Sequence, residues 1–161
     1  MSSQVLSAQT SAVRVFVALV RAHTAATRHL SAQLTNDHGL TINDYEVLLR
    51  LARAEGRRMR RVDLAQEVLL TASGITRLLD GLERAGYVER GSCESDRRVV
   101  YAVLTDAGLA KLREASATHL PQIDELFATR FDEGELATTA GLLERLGDAG
   151  DDTDCEPPGE G

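Results

Sequence analysis

Two sets of polar side chains could do chemistry: Thr71-Ala72-Ser73-Gly74-Ile75-Thr76-Arg77, and further on Asp96-Arg97-Arg98. Thr71 is a good helix N-cap. Behind it Ile75, Leu78, Leu79 and Leu82 follow the i, i+3, i+4, i+7 spacing of a buried stripe, and Ser73, Thr76 and Arg77 fall off that stripe. Side chains in the first two turns of such a helix can reach base edges in the major groove, while the free N–H groups there favour phosphate. Gly74 would let the DNA backbone approach closely. In the second set, a planar guanidinium suits the narrow, strongly negative minor groove. A neighbouring carboxylate can hold one arginine by a bidentate pair. The expected arrangement has Arg97 facing DNA and Arg98 paired with Asp96, with the reverse as the alternative. The competing structural readings are a solvated helix face and an ordinary surface turn.

Periodicity supplies the elements that must position these groups. Val13, Phe16, Val17, Val20, Thr24, Thr27, Leu30 and Leu34 predict a long helix over Ser11–Asp37, ended by Gly39. Thr41 caps a second helix, with Asp44 completing a capping box; it buries Tyr45, Val47, Leu48 and Leu51 and stops near Gly56. Met59 is expected to point inward on a short strand, before a third helix over Val62–Leu69. After the Thr71-capped helix, Gly86 closes the turn. Tyr87–Arg90 and the β-rich run Val99–Leu104 predict a hairpin with Gly91–Asp96 at its tip. Thr105 and Asp106 open a helix to about Thr129, bent or interrupted near Pro121. Asp132-Glu133 starts a last helix carrying Leu136, Leu142, Leu143 and Leu146. The class is therefore mainly α with a small β-hairpin. The long terminal helices have too little local core for their apolar stripes, so a second copy is expected to cover them. That would set two reading heads one DNA turn apart, roughly 34 Å.

The net charge of −7 on 161 residues is unfavourable for DNA until its distribution is considered. Arg57–Arg98 holds 9 basic and 7 acidic residues, while everything else holds 9 basic and 18 acidic. Phosphate contacts are local, so acidity elsewhere does not exclude nucleic acid. Arg57-Arg58-Met59-Arg60-Arg61 could grip phosphates, with Arg60 and Arg61 the candidates, or be a solvated connection. No apolar run approaches the ~18 residues of a membrane span, and no secretion signal precedes the first helix. Cys93 and Cys155 cannot build a disulfide framework, in keeping with a reducing cytoplasm. His23, His29, His38 and His119 show no metal-ligand spacing, and no cofactor is expected. Catalytic motifs are missing too: there is no G-x-S-x-G, phosphate-binding glycine loop or H-E-x-x-H, so an enzyme is not expected.

Several segments together resemble the MarR (multiple antibiotic resistance regulator) family of winged helix-turn-helix proteins. They are Leu64-Ala65, Thr71 to Asp80, Leu82-Glu83-Arg84-Ala85-Gly86-Tyr87-Val88, Asp96-Arg97-Arg98 and Leu104-Thr105-Asp106-Ala107-Gly108. The resemblance covers about residues 11 to 147, and its most specific part is the Asp-Arg-Arg wing followed by Leu-Thr-x-x-Gly. It implies a dimerisation helix (11–38), a winged helix-turn-helix DNA-binding domain (41–105) and dimerisation helices (106–147). They follow a flexible N-terminus (1–10) and precede an acidic tail (148–161) whose composition, six acids and no bases with Pro157-Pro158-Gly159, predicts disorder. The resemblance further implies a homodimeric regulator of double-stranded DNA, usually a repressor at pseudo-palindromes, released by a small anionic or phenolic molecule. Arg21, His23, Arg28 and Tyr45 are the candidates for that effector pocket. Two departures stand out: Val62 replaces the Ser or Thr that often starts the third helix, and Ala102 stands where a larger aliphatic is common, which predicts a more loosely packed wing base. Two other readings stay open. One is a winged-helix module that binds proteins without DNA. The other is a redox-sensing regulator using Cys93, although Glu94 beside it opposes the thiolate such sensing needs.

Overall fold

The computed structural model describes residues 10–68 and 70–148. All of the expected acidic tail except Asp148, including Cys155, and nearly all of the expected flexible N-terminus lie outside the described residues, as does Leu69. Contacts divide the chain into two compact units, one ending at Gln122 and the other beginning at Ile123. No described helix is long and apolar enough to cross a membrane.

The first unit opens with α1 (Ser11–His38), which ends at Gly39. Helix α2 (Ile42–Arg53) carries the predicted capping box: Thr41 Oγ1 accepts the Asp44 N–H at 3.1 Å, and Asp44 accepts the Thr41 N–H at 2.8 Å. A 3-10 turn at Glu55–Arg57 leads into β1 (Arg58–Arg60), α3 (Arg61–Glu67) and α4 (Ala72–Arg84). Strands β2 (Val88–Ser92) and β3 (Val100–Leu104) form the wing, and β1 adds to its other side to give an antiparallel sheet in the order β1-β3-β2. Helix α5 (Asp106–Ala128) then leaves the sheet.

Leu48, Leu51, Leu64 and Val47 are fully buried and Leu79 is 1% exposed, so α2, α3 and α4 share one apolar centre. Each such side chain is worth roughly 1.5–3 kcal/mol of burial, against about 0–1 kcal/mol for an exposed ion pair. Apolar packing, and not the many arginine–carboxylate pairs, therefore sets how these helices cross. The sheet joins the same core through Val88, Ala102 and Leu104. Met59 is half-buried and stands opposite Ala102 in the ladder. Ala102 is itself 2% exposed, so the small residue at the wing base is covered despite its size.

Two boundaries and the course of one helix differ from the sequence expectation. The third helix stops at Glu67, because at Val68 the backbone turns (φ −93°, ψ 6°) and Leu70 N–H reaches back to Ala65 O. Strand β2 extends to Ser92, through a glycine expected in the turn. Gly91 pairs with Tyr101, and a Cβ there would lie 2.9 Å from Val103 Cγ2, so the missing side chain makes room for the neighbouring strand. The hairpin tip accordingly shifts along the chain to Cys93–Val99. Helix α5 runs unbroken through Pro121. The carbonyl that loses its partner there belongs to Ala117, on an exposed turn that water can reach.

The junction between wing and α5 is tightly made. Thr105 Oγ1 donates to Gly86 O at 2.6 Å and accepts the Gly108 N–H at 3.0 Å, while Thr105 N–H reaches Tyr87 O. Gly108 is buried against that same carbonyl, and a Cβ on it would fall 2.1 Å from Tyr87 O. The Leu-Thr-x-x-Gly segment is thus a structural clamp between the end of α4 and the start of α5.

The second unit contains α6 (Glu133–Asp148), started by a reciprocal cap in which Asp132 accepts the Glu135 N–H and Glu135 accepts the Asp132 N–H. Its Leu142, Leu143 and Leu146 are exposed.

Overpacking a filled site costs about 1–3 kcal/mol, and here the obstacle is backbone. Gly108→Ala is expected to fall at the top of that range in urea unfolding, whereas Gly141→Ala, with open space around it, should be neutral or slightly stabilising. Equal stabilities for the two variants would show that the clamp does not exist.

Candidate nucleic-acid interface

The recognition region grows from a cap. Thr71 Oγ1 accepts the Gly74 N–H at 3.1 Å, which fixes the first turn of α4 and leaves its other N–H groups without an intrahelical partner. A Cβ on Gly74 would sit 3.1 Å from that same Oγ1, so glycine here also protects the cap. Ser73, Thr76 and Arg77 are exposed, opposite the buried Ile75, Leu79 and Leu82. Ser73 Oγ lies 3.2 Å from Thr71 Oγ1. Helix α3 begins at Arg61 with no side-chain cap, as the Val62 departure predicts.

The arginines of the head separate into two kinds. Arg50, Arg57, Arg60 and Arg90 pair with carboxylates of Glu46 and Glu67, Asp106, Asp63, and Glu83 and Asp80 respectively. For Arg60 the pair is bidentate, at 2.6 and 2.9 Å, and Asp63 raises the guanidinium pKa further. Arg61, Arg77, Arg97 and Arg98 pair with no carboxylate among the described residues, and the last three are exposed. Arg53 at the end of α2 and Arg84 on α4, whose Nε donates to Asp80 O, also lack a carboxylate partner among the described residues. The unpaired guanidinium groups of the head therefore lie at the end of α2, at the start of α3, on α4 and at the wing tip. Arg58 takes neither course. Its guanidinium stacks 4.6 Å from the Tyr101 ring on the outer face of the sheet.

At the wing the expected Asp96–Arg98 guanidinium pair is replaced by a backbone contact. Asp96 Oδ1 accepts the Arg98 N–H at 3.0 Å, and Val99 N–H returns to Asp96 O. An aspartate two residues before an amide closes a local turn at little entropic cost, whereas a side-chain pair would have to immobilise a whole arginine. Asp96 orients the loop, and both arginine heads project from it. Nearby, Cys93 Sγ sits 3.0 Å from Ser95 Oγ. Hydrogen bonds from Ser95 hold the thiol below its ordinary range, with Asp96 rather than Glu94 the opposing charge.

Arg90 was not among the residues singled out from sequence. Two residues beyond buried Val88, it faces the helices and reaches Glu83 at 3.0 Å and Asp80 at 3.1 Å, joining the wing strand to the outer side of α4. The period of two in the strand was the available signal.

The four effector candidates are not gathered into one cavity among the described residues. Arg21, His23 and Arg28 are exposed along α1, while Tyr45 is buried, its hydroxyl 2.9 Å from Ser116 Oγ and its ring edge-on to His119. His119 is 5% exposed, and burial, with His38 adding to it, pushes its pKa below 6.5. His38 in turn contacts Glu114 and Thr118. No group of residues suited to hold a metal ion occurs among the described residues.

Helices α2, α3 and α4, the last two forming a helix-turn-helix pair, followed by a hairpin with arginines at its tip, define a winged helix-turn-helix DNA-binding protein. The comparisons agree. The family model described as "MarR family" matches residues 38–99. The HTH-type transcriptional repressor YetL of Bacillus subtilis (strain 168) is 30% identical over 121 residues, covering 73% of this chain and 72% of that protein. Among solved structures, Sco3205 of Streptomyces coelicolor, a MarR family transcriptional regulator in complex with DNA, matches with a TM-score of 0.81 and 26% identity over 94% of this chain and 95% of that one. AbsC, a MarR family regulator of the same organism, matches with a TM-score of 0.72 and 32% identity over 88% and 96%. The chain belongs to the MarR family of DNA-binding transcriptional regulators.

The Asp96 contact has a measurable consequence. Asp96→Ala removes one exposed hydrogen bond to a backbone N–H, worth about 1 kcal/mol, so wing disorder should weaken duplex binding about 5-fold. Asp96→Asn keeps an acceptor oxygen and should retain most of the affinity in fluorescence anisotropy. If Asn is as weak as Ala, the carboxylate charge matters and the backbone contact does not.

Proposed function

We propose that the protein is a homodimeric repressor that binds a pseudo-palindromic operator and leaves it when a small anionic or phenolic molecule binds. The observation that carries the DNA part is the placement of unneutralised guanidinium groups: Arg77 on α4, Arg97 and Arg98 on the wing, and Arg61 at the start of α3, in a chain whose net charge is −7. In this reading Thr71, Ser73 and Gly74 bring the N-terminus of α4 against the backbone, and Arg77 reaches base edges. Arg97 and Arg98 enter or flank the minor groove. Arg60, already satisfied by Asp63, contributes little.

The dimer rests on apolar surface. Phe16 is 65% exposed and Val13, Val15 and Val20 are about half exposed on α1, while Leu142, Leu143 and Leu146 are exposed on α6. Apolar side chains at helical spacing over several turns gain little from water and much from a second copy. Two heads are also needed for specificity, since one module makes too few base contacts. Repression is supported by the likeness to YetL, which is itself a transcriptional repressor. For the effector, Arg21, His23 and Arg28 offer positive or polar groups along α1, and Tyr45 a phenolic partner held by Ser116.

Titration with duplex DNA from the region upstream of its own gene tests the reading. Affinity should fall steeply with salt, with a log–log slope near −0.9 for each phosphate neutralised. Arg97→Ala should weaken operator binding about 10-fold or more, the scale of 1–3 kcal/mol for a specific contact. Absence of binding to any duplex at low salt would leave a protein-binding winged helix as the better account. Sedimentation should show a dimer at micromolar concentration; a monomer there would remove the two-headed part of the proposal.

A further inference from the structure

Thr76 and Arg61 are side chains from different helices that meet. Thr76 is exposed on the second turn of α4, where a hydroxyl would be expected to read bases. That hydroxyl is already engaged. It donates to Ala72 O at 2.8 Å and accepts from Arg61 Nη2 at 2.9 Å. A hydroxyl has one proton, so Thr76 has no donor left for a base and one acceptor site already filled. Arg61 has the opposite balance. Thr76 uses one of its five N–H donors, and no carboxylate among the described residues takes the others. Its neighbour Arg60, the last residue of β1, is consumed by Asp63 on α3. Two consecutive arginines thus have different fates: one is neutralised on α3, the other is carried across to α4 with its charge intact.

Position gives that difference a meaning. Arg61 is the first residue of α3, and in a helix-turn-helix the first helix crosses the phosphate backbone while the second enters the groove. An arginine restrained in its bound conformation loses less rotamer freedom on contact. We propose that Arg61 is a phosphate-contacting residue and that Thr76 is a positioning residue, holding the guanidinium beside the recognition helix instead of reading a base. This rests on the DNA-binding reading above. It predicts that Thr76 matters for affinity only through Arg61.

A double-mutant cycle decides it, using two probes: a random-sequence 30-base-pair duplex at low salt, and the duplex from upstream of the gene. Thr76 is exposed and Arg61 only partly buried, and thermal melting should be unchanged in each variant. Arg61→Ala should weaken binding about 5–10-fold on both duplexes and reduce the salt slope by about 0.9 for each head engaged. Thr76→Val should weaken binding about 3-fold alone and add nothing when Arg61 is already alanine. Thr76→Ser, which keeps the hydroxyl, should bind as the native protein does. The proposal is overturned if Thr76→Val costs the same in both backgrounds or changes base preference at one operator position, since Thr76 would then touch DNA itself. An unchanged salt slope in Arg61→Ala also overturns it. If the native protein binds neither duplex, the DNA-binding reading fails and takes this proposal with it; additive losses in a protein that binds DNA well overturn this proposal alone.

Discussion

At the hydroxyl of Thr105 the parts of the reading head are fastened together. One atom donates to the carbonyl that ends α4 at Gly86 and accepts the N–H of Gly108 in the first turn of α5, while the backbone beside it pairs with Tyr87. The contact is possible only because Gly108 has no Cβ, so α5 can press against the Tyr87 carbonyl. Everything that would face DNA hangs from this point. Upstream lies the recognition helix and downstream the helix leaving the sheet, with both wing strands meeting between them. A shift of one residue here would turn β3 over and send Ala102 and Leu104 from the core to solvent.

Around that junction two kinds of force have separate tasks. Burial of Val47, Leu48, Leu51, Leu64 and Leu79 supplies the stability and sets the helix crossings. The exposed ion pairs supply little energy but decide which charges remain available. Arg90 illustrates this. Its pairing with Glu83 and Asp80 uses one positive charge to offset part of the negative charge of two carboxylates on α4. Overall acidity is compatible with DNA binding because phosphate contacts are local, and several acids of the head, Asp63, Glu67, Asp80 and Glu83 among them, are held by arginines of the fold.

Much of this was legible in the sequence, and the reason is range. Thr41 with Asp44, Thr71 with Gly74, and Asp132 with Glu135 are contacts across three residues, so cap chemistry alone locates the helix starts. The apolar period located α2 and α4, and alternation located the wing strands. Order and spacing of the Asp-Arg-Arg and Leu-Thr-x-x-Gly segments were enough to point to the family. Where the expectation missed, the deciding partner was remote or the choice was between equals. Gly91 reads as a turn residue until Tyr101 and Val103 are placed across from it. The Asp96 carboxylate could accept from a guanidinium or from an amide, and the cheaper local turn won.

Sequence by itself determined the elements, their caps and the family, because these depend on neighbours along the chain. Tertiary structure alone decided which arginines keep a free charge. Arg57 meets Asp106 and Arg90 meets Asp80 only when α5 and α4 arrive, and Arg61 finds Thr76 across the turn between two helices. It likewise buried Tyr45 against His119 and left Arg21, His23 and Arg28 in solvent, although the residue types gave no reason to separate them. A charged side chain advertises its type in the sequence, but whether it is spent within the fold depends on distances that only packing sets.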